Sequence, residues 1–141
     1  MRILLAPDSF KEAASAEAIA QAMARGIKRG DPQAECRLLP LSDGGEGLTH
    51  ALVHATGGTL HDVETVDAVG RPIIAQFGFL GNKHTSRTAV VELASASGLE
   101  RVSPADRNAL VASTFGTGLL IHAAIDAGAD CIVLGLGGSA T

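Results

Sequence analysis

Glu35-Cys36-Arg37-Leu38-Leu39-Pro40-Leu41-Ser42-Asp43-Gly44-Gly45-Glu46-Gly47-Leu48-Thr49-His50-Ala51-Leu52-Val53-His54-Ala55 is the stretch whose reading decides the fold. Residues 35–39 read as a short strand and 48–55 as a helix, with Ser42 to Gly47 as the junction between them. Two carboxylates and three glycines stand in that junction. Glycines let a backbone approach a ligand closely and present amide N–H groups without side-chain hindrance. A helix that begins directly after the loop adds the positive end of its dipole, which suits an anion. Asp43 and Glu46 by themselves repel a phosphate, so the loop fits a metal-bound phosphate or a hydroxylated substrate with a proton in transit. The competing reading is an ordinary turn.

Toward the N-terminus, Ile3-Leu4-Leu5-Ala6 is a continuous apolar run that ends at Pro7 and predicts a strand buried on both faces. Asp8, Ser9 and Lys11 follow at once, which puts a carboxylate, a hydroxyl and an ammonium at the strand's C-terminal end. Ser15 caps the next helix, and Glu17 sits in its first turn where the dipole favours it. Ala16, Ile19, Ala20, Met23 and Ile27 share one face, Glu17, Gln21, Arg25 and Lys28 the other, and Gly30-Asp31-Pro32 ends the helix. Beyond the junction, Leu48, Ala51, Leu52 and Ala55 form the expected buried stripe, with Gly57 as the stop. His50 and His54 have zinc-ligand spacing, but they project from the opposite face without a third ligand and read as solvent-exposed. The order β-α-β-α predicts Rossmann-like parallel units with right-handed crossovers. Ligands of such sheets bind beyond the C-terminal strand ends, where Asp8–Lys11 and Asp43–Glu46 both fall.

From residue 59 the pattern changes. Residues 59–66, 72–80 and 88–93 read as three extended segments, and Ile73, Ala75, Phe77 and Phe79 alternate with Ile74, Gln76, Gly78 and Leu80 at strand period. The expected fold class is therefore α/β, with Rossmann-like parallel β-α units followed by a second mixed α/β region that contains a β-meander. Residues 94–99 read as a small-residue loop, and Ser103-Pro104 opens a short helix that stops before Thr114. Thr114-Phe115-Gly116-Thr117-Gly118 is a second glycine–hydroxyl junction. It is followed by a helix over 119–127 that is apolar nearly all round and so expected to be buried on most of its surface. Cys131-Ile132-Val133-Leu134 reads as a strand buried on both faces, running into Gly135-Leu136-Gly137-Gly138-Ser139-Ala140-Thr141. A glycine loop with no helix behind it is an unfinished unit, so a truncated chain is expected.

Composition narrows the function classes. Hydrophobic residues make up 46% of the 141 and aromatics 3%, with no Trp or Tyr, so the core must be aliphatic. A net charge of −4 without any Lys/Arg run excludes the usual nucleic-acid and membrane-surface partners. It leaves room for a phosphorylated ligand held by amides and a metal. Cys36 and Cys131 are far apart and read as buried thiols of a reduced compartment. No apolar run reaches membrane-spanning length and no signal peptide precedes residue 7, so a soluble cytoplasmic protein is expected.

Several of these stretches resemble one family in order. Ala6-Pro7-Asp8-Ser9-Phe10-Lys11 with Ser15-Ala16 is similar to the opening of the bacterial glycerate kinases. Asp43-Gly44-Gly45-Glu46-Gly47, Gly70-Arg71-Pro72 and the run from Thr88 through Glu92 to Leu99 continue the resemblance. Thr114-Phe115-Gly116-Thr117-Gly118 and the closing Gly135-to-Thr141 stretch complete it. Ala13-Ala14 stands where the family usually has Ser-Leu, and Ser42 where it often has Ala. Members of that family continue past residue 141, and a Rossmann-like domain is built there from both chain ends around a second domain. The resemblance implies that residues 1–58 begin the first of these domains and 59–141 the second. It implies ATP-dependent phosphorylation of D-glycerate with Mg²⁺, and leaves the 2- and 3-hydroxyl both open as acceptors.

Phosphoryl transfer asks for positioning and charge neutralisation. Asp8 and Asp43 are the candidates for base or metal work, and Lys11 for neutralising a phosphate or the glycerate carboxylate. Glu46 is a substrate or metal ligand, or else an acid at the helix start. Ser9, Gly44 and Gly45 line the same edge, while Gly137, Gly138 and Ser139 fit an anion cradle that lacks the Gly-Lys-Ser/Thr of a P-loop. Two other readings stand beside the kinase. Gly135-x-Gly137-x-x-Ala140 after a strand matches the loose dinucleotide-binding fingerprint of an oxidoreductase. A truncated chain could also bind ligand without turning it over, or pair with a missing half, and a second copy could cover its apolar surface as a homodimer.

Overall fold

The structure, a computed structural model, describes residues 1–10, 13–81 and 86–141. Its contacts divide the chain into two compact units, Met1–Asp43 and Gly44–Thr141.

The first unit holds β1 (Arg2–Leu5), α1 (Ala16–Gly30) and β2 (Glu35–Leu38). The strands run parallel, Ile3 opposite Cys36 and Leu5 opposite Leu38. Bonds from Leu39 N–H to Leu5 O (2.8 Å) and from Leu41 N–H to Pro7 O (3.0 Å) carry the pairing past the strand ends. The helix between them starts as the sequence predicts, with Ser15 Oγ accepting from Ala18 N–H at 3.3 Å. Its stop is the Asp31 N–H bond to Ile27 O at 2.8 Å. Ala20 is fully buried against the strands, whereas Met23 is 45% exposed and does not share that stripe. β1 departs from the expectation of burial on both faces: Leu5 is buried but Leu4 is 57% exposed. Side chains alternate across a strand, and within this unit α1 covers the Leu5 side alone.

The second unit contains α2 (Leu48–Thr56), β3 (Thr59–Val66), β4 (Pro72–Phe79), β5 (Thr88–Glu92), α3 (Ala94–Ser97), α4 (Phe115–Asp126) and β6 (Cys131–Gly135). Its sheet runs β3-β4-β5-β6. The first three strands form the expected antiparallel meander, and β6 returns parallel to β5. The period-2 pattern sorts the two faces. Ala75, Phe77, Phe79, Ala89 and Val91 form one core with Leu120 and Ala124 of α4 and with Ala96 of α3. Each buried phenylalanine there contributes about 1.5–3 kcal/mol. Gly78 lies on the other face, beneath α2: a Cβ on it would stand 2.2 Å from Val53 Cγ2 and 3.1 Å from Thr49 Cγ2. Helix α2 therefore packs on this sheet within residues 44–141. Its buried positions are Thr49 and Val53 rather than the expected line of Leu48, Ala51, Leu52 and Ala55.

Other expectations shift for related reasons. Residues 94–99 fold into α3 and the start of a 3₁₀ turn, Leu99–Arg101, instead of a loop, and the helix expected after Ser103 is a single 3₁₀ turn, Pro104–Asp106. Helix α4 begins at Phe115, so the second glycine–hydroxyl junction lies inside its first turns. One side of α4 is buried, but Phe115 (65%) and Ile125 (55%) are exposed on the other. β6 is one of the two outer strands of the sheet, and Val133 and Leu134 are each about two-fifths exposed instead of buried on both faces. Cys131, the first residue of that strand, is exposed rather than buried, while Cys36 is half-buried; both are free thiols. Among the described residues, no helix is long and apolar enough to cross a membrane.

Candidate functional site

In the first unit the parallel pairing sets the site edge. Asp8 and Ser9 follow β1 and Asp43 follows β2, so both aspartates lie beyond C-terminal strand ends. Asp8 is half-buried, and its Oδ1 accepts from Ser9 N–H at 2.6 Å, which fixes the carboxylate against its own backbone. Asp43 is exposed. Lys11 lies outside the described residues.

In the second unit, the glycines of the acidic loop are required by its path. Gly44 (φ 98°) and Gly47 (φ 86°) are left-handed, a conformation that costs other residues more. Gly45 is buried because the stretch after β6 packs on it: a Cβ on Gly137 would come 2.6 Å from Gly45 Cα, and Gly137 N–H donates to Gly44 O at 2.9 Å. The close approach that these glycines permit is thus to one another, and the Gly137 amide expected in an anion cradle is engaged by the Gly44 carbonyl. Gly138 (φ 72°) accepts at its carbonyl from Leu99 N–H at 2.8 Å. Ser139 Oγ accepts from Thr141 N–H at 3.0 Å and lies 2.6 Å from Thr141 Oγ1.

The anion at the start of α2 belongs to the protein. Glu92, the last residue of β5, is 5% exposed. Its Oε1 accepts from Gly47 N–H at 3.2 Å and its Oε2 from Thr49 N–H at 2.9 Å. Gly47 is the N-cap and offers no side chain, so Glu92 supplies the cap from across the fold. Glu46 stands one residue ahead of that cap, outside the first helical turn, with its side chain exposed. A hydrogen bond with Glu100, partial desolvation and the charges of Glu100 and Glu92 push its carboxyl up to about 7, against the opposing charge of Arg101. Two carboxyl groups that bond to each other hold one proton between them.

Two other matched stretches are absorbed by architecture. A Cβ on Gly116 would stand 1.9 Å from Val66 O, Thr65 Oγ1 donates to Gly116 O at 2.9 Å, and Thr117 Oγ1 lies 2.8 Å from Ser97 Oγ in the buried interior. At the β3–β4 turn, buried Asp67 accepts from the N–H groups of Val69 and Arg71, both at 2.9 Å, and from Arg71 Nε at 2.7 Å. Burial alone would raise the Asp67 carboxyl, but these bonds and the Arg71 charge outweigh it and hold the group below its ordinary value. His50 and His54 are exposed as expected, with His50 Nε2 3.0 Å from Gln76 Oε1. No group of three His, Cys, Asp or Glu side chains suited to a metal occurs among the described residues.

Residues 3–141 match the Glycerate kinase family. The chain belongs to that family. It is 49% identical over 141 residues to a glycerate kinase of Bacillus subtilis (strain 168), covering all of this chain and 36% of that protein. Identity is 41% over 141 residues with a glycerate 2-kinase of Escherichia coli (strain K12), again with 100% and 36% coverage. A crystal structure from Salmonella typhimurium LT2, provisionally named glycerate kinase 2, superposes with a TM-score of 0.73 at 45% identity, over 99% of this chain and 36% of that one. The chain thus spans about a third of the length of the relatives it matches, 36%.

Asp8, Asp43 and Glu46 stand out in the sequence as candidate site residues, whereas the bonds of Glu92 and Glu100 do not. Glu92 had a signal: it is the one charged residue of the strand Thr88–Glu92, directly after the apolar run Ala89-Val90-Val91. An acid in a buried run needs hydrogen-bond donors, and helix N-termini are where such donors lack partners. Glu100 gave none, because its pairing with Glu46 has no characteristic spacing.

Proposed function

We propose that this chain carries part of an ATP-dependent kinase that transfers the γ-phosphate of ATP to a hydroxyl of D-glycerate. The observation behind this reading is the family match across residues 3–141, with relatives named glycerate kinase at 41–49% identity. Asp8 and Asp43, at C-terminal strand ends, orient the attacking hydroxyl or hold the nucleotide's metal, and Lys11 neutralises charge. Ser9, Gly44, Glu46, Gly138 and Ser139 contact substrate or nucleotide, while buried Gly45 serves the packing of the loop. Mg²⁺ fits this donor set: it is usually bound by one or two carboxylates plus phosphate oxygens, so a cluster of three protein ligands is not needed. The ion would supply neutralisation of phosphate charge. Residues 1–58 and 59–141 are the opening parts of two α/β domains in the same reading, which also includes a cytoplasmic location and a homodimer.

The test is the full-length natural protein with ATP, Mg²⁺ and D-glycerate, its product identified by NMR. Glycerate-dependent ATP consumption and a phosphoglycerate are expected, and NMR assigns the 2- or 3-position. Absence of any phosphoglycerate overturns the reading. Met1–Thr141 assayed alongside separates a catalytic chain from one that only binds ligand.

A further inference from the structure

We propose that Glu92 is a positioning residue: its buried carboxylate fixes the loop at residues 44–47 and thereby sets where Glu46 presents its own carboxyl. Only the catalytic consequence rests on the kinase reading.

The geometry makes Glu92 a rigid post. It ends β5, an inner strand flanked by β4 and β6, and it pairs in register with Gly135. The next residue, Leu93, donates its N–H to Gly135 O at 2.8 Å, so the backbone on both sides is held. Each carboxylate oxygen then takes one amide of the helix start, 45 and 43 residues away in sequence. A helix cap for stability alone is ordinarily local, from a Ser, Thr, Asp or Asn at the N-cap. Here that position is Gly47, with φ 86°, so the loop's shape is dictated from the sheet. Burying a carboxylate is costly without such donors, which makes the arrangement unforgiving of movement.

The other end of the loop is tied as well, by Gly137 N–H on Gly44 O at 2.9 Å. Both tethers come from the C-terminal ends of adjacent parallel strands, β5 and β6. Between them Glu46 is left exposed, facing Glu100, Glu92 and Arg101. Glu92 therefore acts on Glu46 twice, by fixing its backbone and by its charge.

The test is Glu92→Gln in the full-length protein. One amide-facing oxygen becomes an NH₂ that opposes an N–H, and the charge is removed. Amide exchange at Gly47 and Thr49 is expected to speed up at least about tenfold, and the Glu46 carboxyl, followed by ¹³C NMR, to titrate lower. With ATP and D-glycerate, kcat falls roughly 10- to 100-fold, the scale of a misplaced group, while KM for ATP stays within about threefold. Glu92→Asp, which keeps the charge but withdraws it by one methylene, is expected to lose exchange protection with a smaller change in the Glu46 titration. It serves if the Gln variant does not fold. Unchanged exchange, or lost protection with kcat and the Glu46 titration both unaltered, overturns the proposal. A wild type that does not phosphorylate glycerate defeats the kinase reading alone, since exchange and titration still decide whether Glu92 sets Glu46.

Discussion

Residues 44–47 and residues 114–118 both place glycines at the start of a helix, α2 in one case and α4 in the other. At α4 the middle of the stretch, Gly116 and Thr117, turns inward. Gly116 lets the helix close on the Val66 carbonyl, and Thr117 and Thr65 direct their hydroxyls into buried bonds. At α2 the backbone is just as constrained, by Gly137 and Glu92, yet Glu46 is exposed, as is Asp43 just ahead of the loop. Glycine and hydroxyl content therefore does not separate a loop that presents charge from a packing joint. What separates them is whether charged side chains are left facing solvent after the backbone has been fixed.

Gly116→Ala tests the packed side most severely. Its Cβ would meet backbone, Val66 O at 1.9 Å, which cannot rotate away, so α4 must lift off the sheet. A loss of roughly 3–5 kcal/mol is expected in urea unfolding. A loss under about 1 kcal/mol would show that residues 114–118 do not hold the helix down.

Asp67 comes next, since the Gly70-Arg71-Pro72 stretch is also architectural. Asp67→Ala leaves the N–H groups of Val69 and Arg71 without their acceptor and is expected to cost about 2–3 kcal/mol. Its folded-state acidity lies below the ordinary 3.8, so its contribution is fully present above that pH and is lost as pH falls through the folded value. As pH falls below about 4 the wild type should therefore lose more stability than Asp67→Ala in acid titration of the unfolding midpoint. Parallel curves would mean that Asp67 is not held ionised by Arg71.

Thr49→Val is the smallest change and lies where the two patterns meet, directly after the acidic loop. Thr49 Oγ1 is buried with no hydrogen-bond partner among the described residues. Replacing it with a methyl group is expected to be neutral or to stabilise by up to about 1 kcal/mol in thermal unfolding. Clear destabilisation would mean that the hydroxyl has a partner.

Much of this was legible in the chain. Strand β4 followed directly from the alternation of Ile73, Ala75, Phe77 and Phe79, because side chains point to opposite faces along a strand. Ser15 and Asp31 marked both ends of α1 through local hydrogen bonds. The start of α4 was hidden, because Gly116 and Gly118 have poor helix propensity and only contact with Val66 explains why a helix forms over them. The open sides of β1 and β6 were equally hidden: an apolar run reports what a strand can bury, not what this chain provides to cover it. At the site, the strand-end aspartates could be placed from topology. The capping role of Glu92 could not, since its partners lie 45 and 43 residues away.

The central claim is that Asp43, exposed beyond the end of β2, serves chemistry rather than the fold, and Asp43→Asn in the full-length protein tests it most directly. Turnover of ATP with D-glycerate and Mg²⁺ is expected to fall by at least about 100-fold, the scale of a lost base or charge-neutralising group, with the unfolding temperature nearly unchanged. Turnover equal to the wild type, in a variant just as stable, would contradict it.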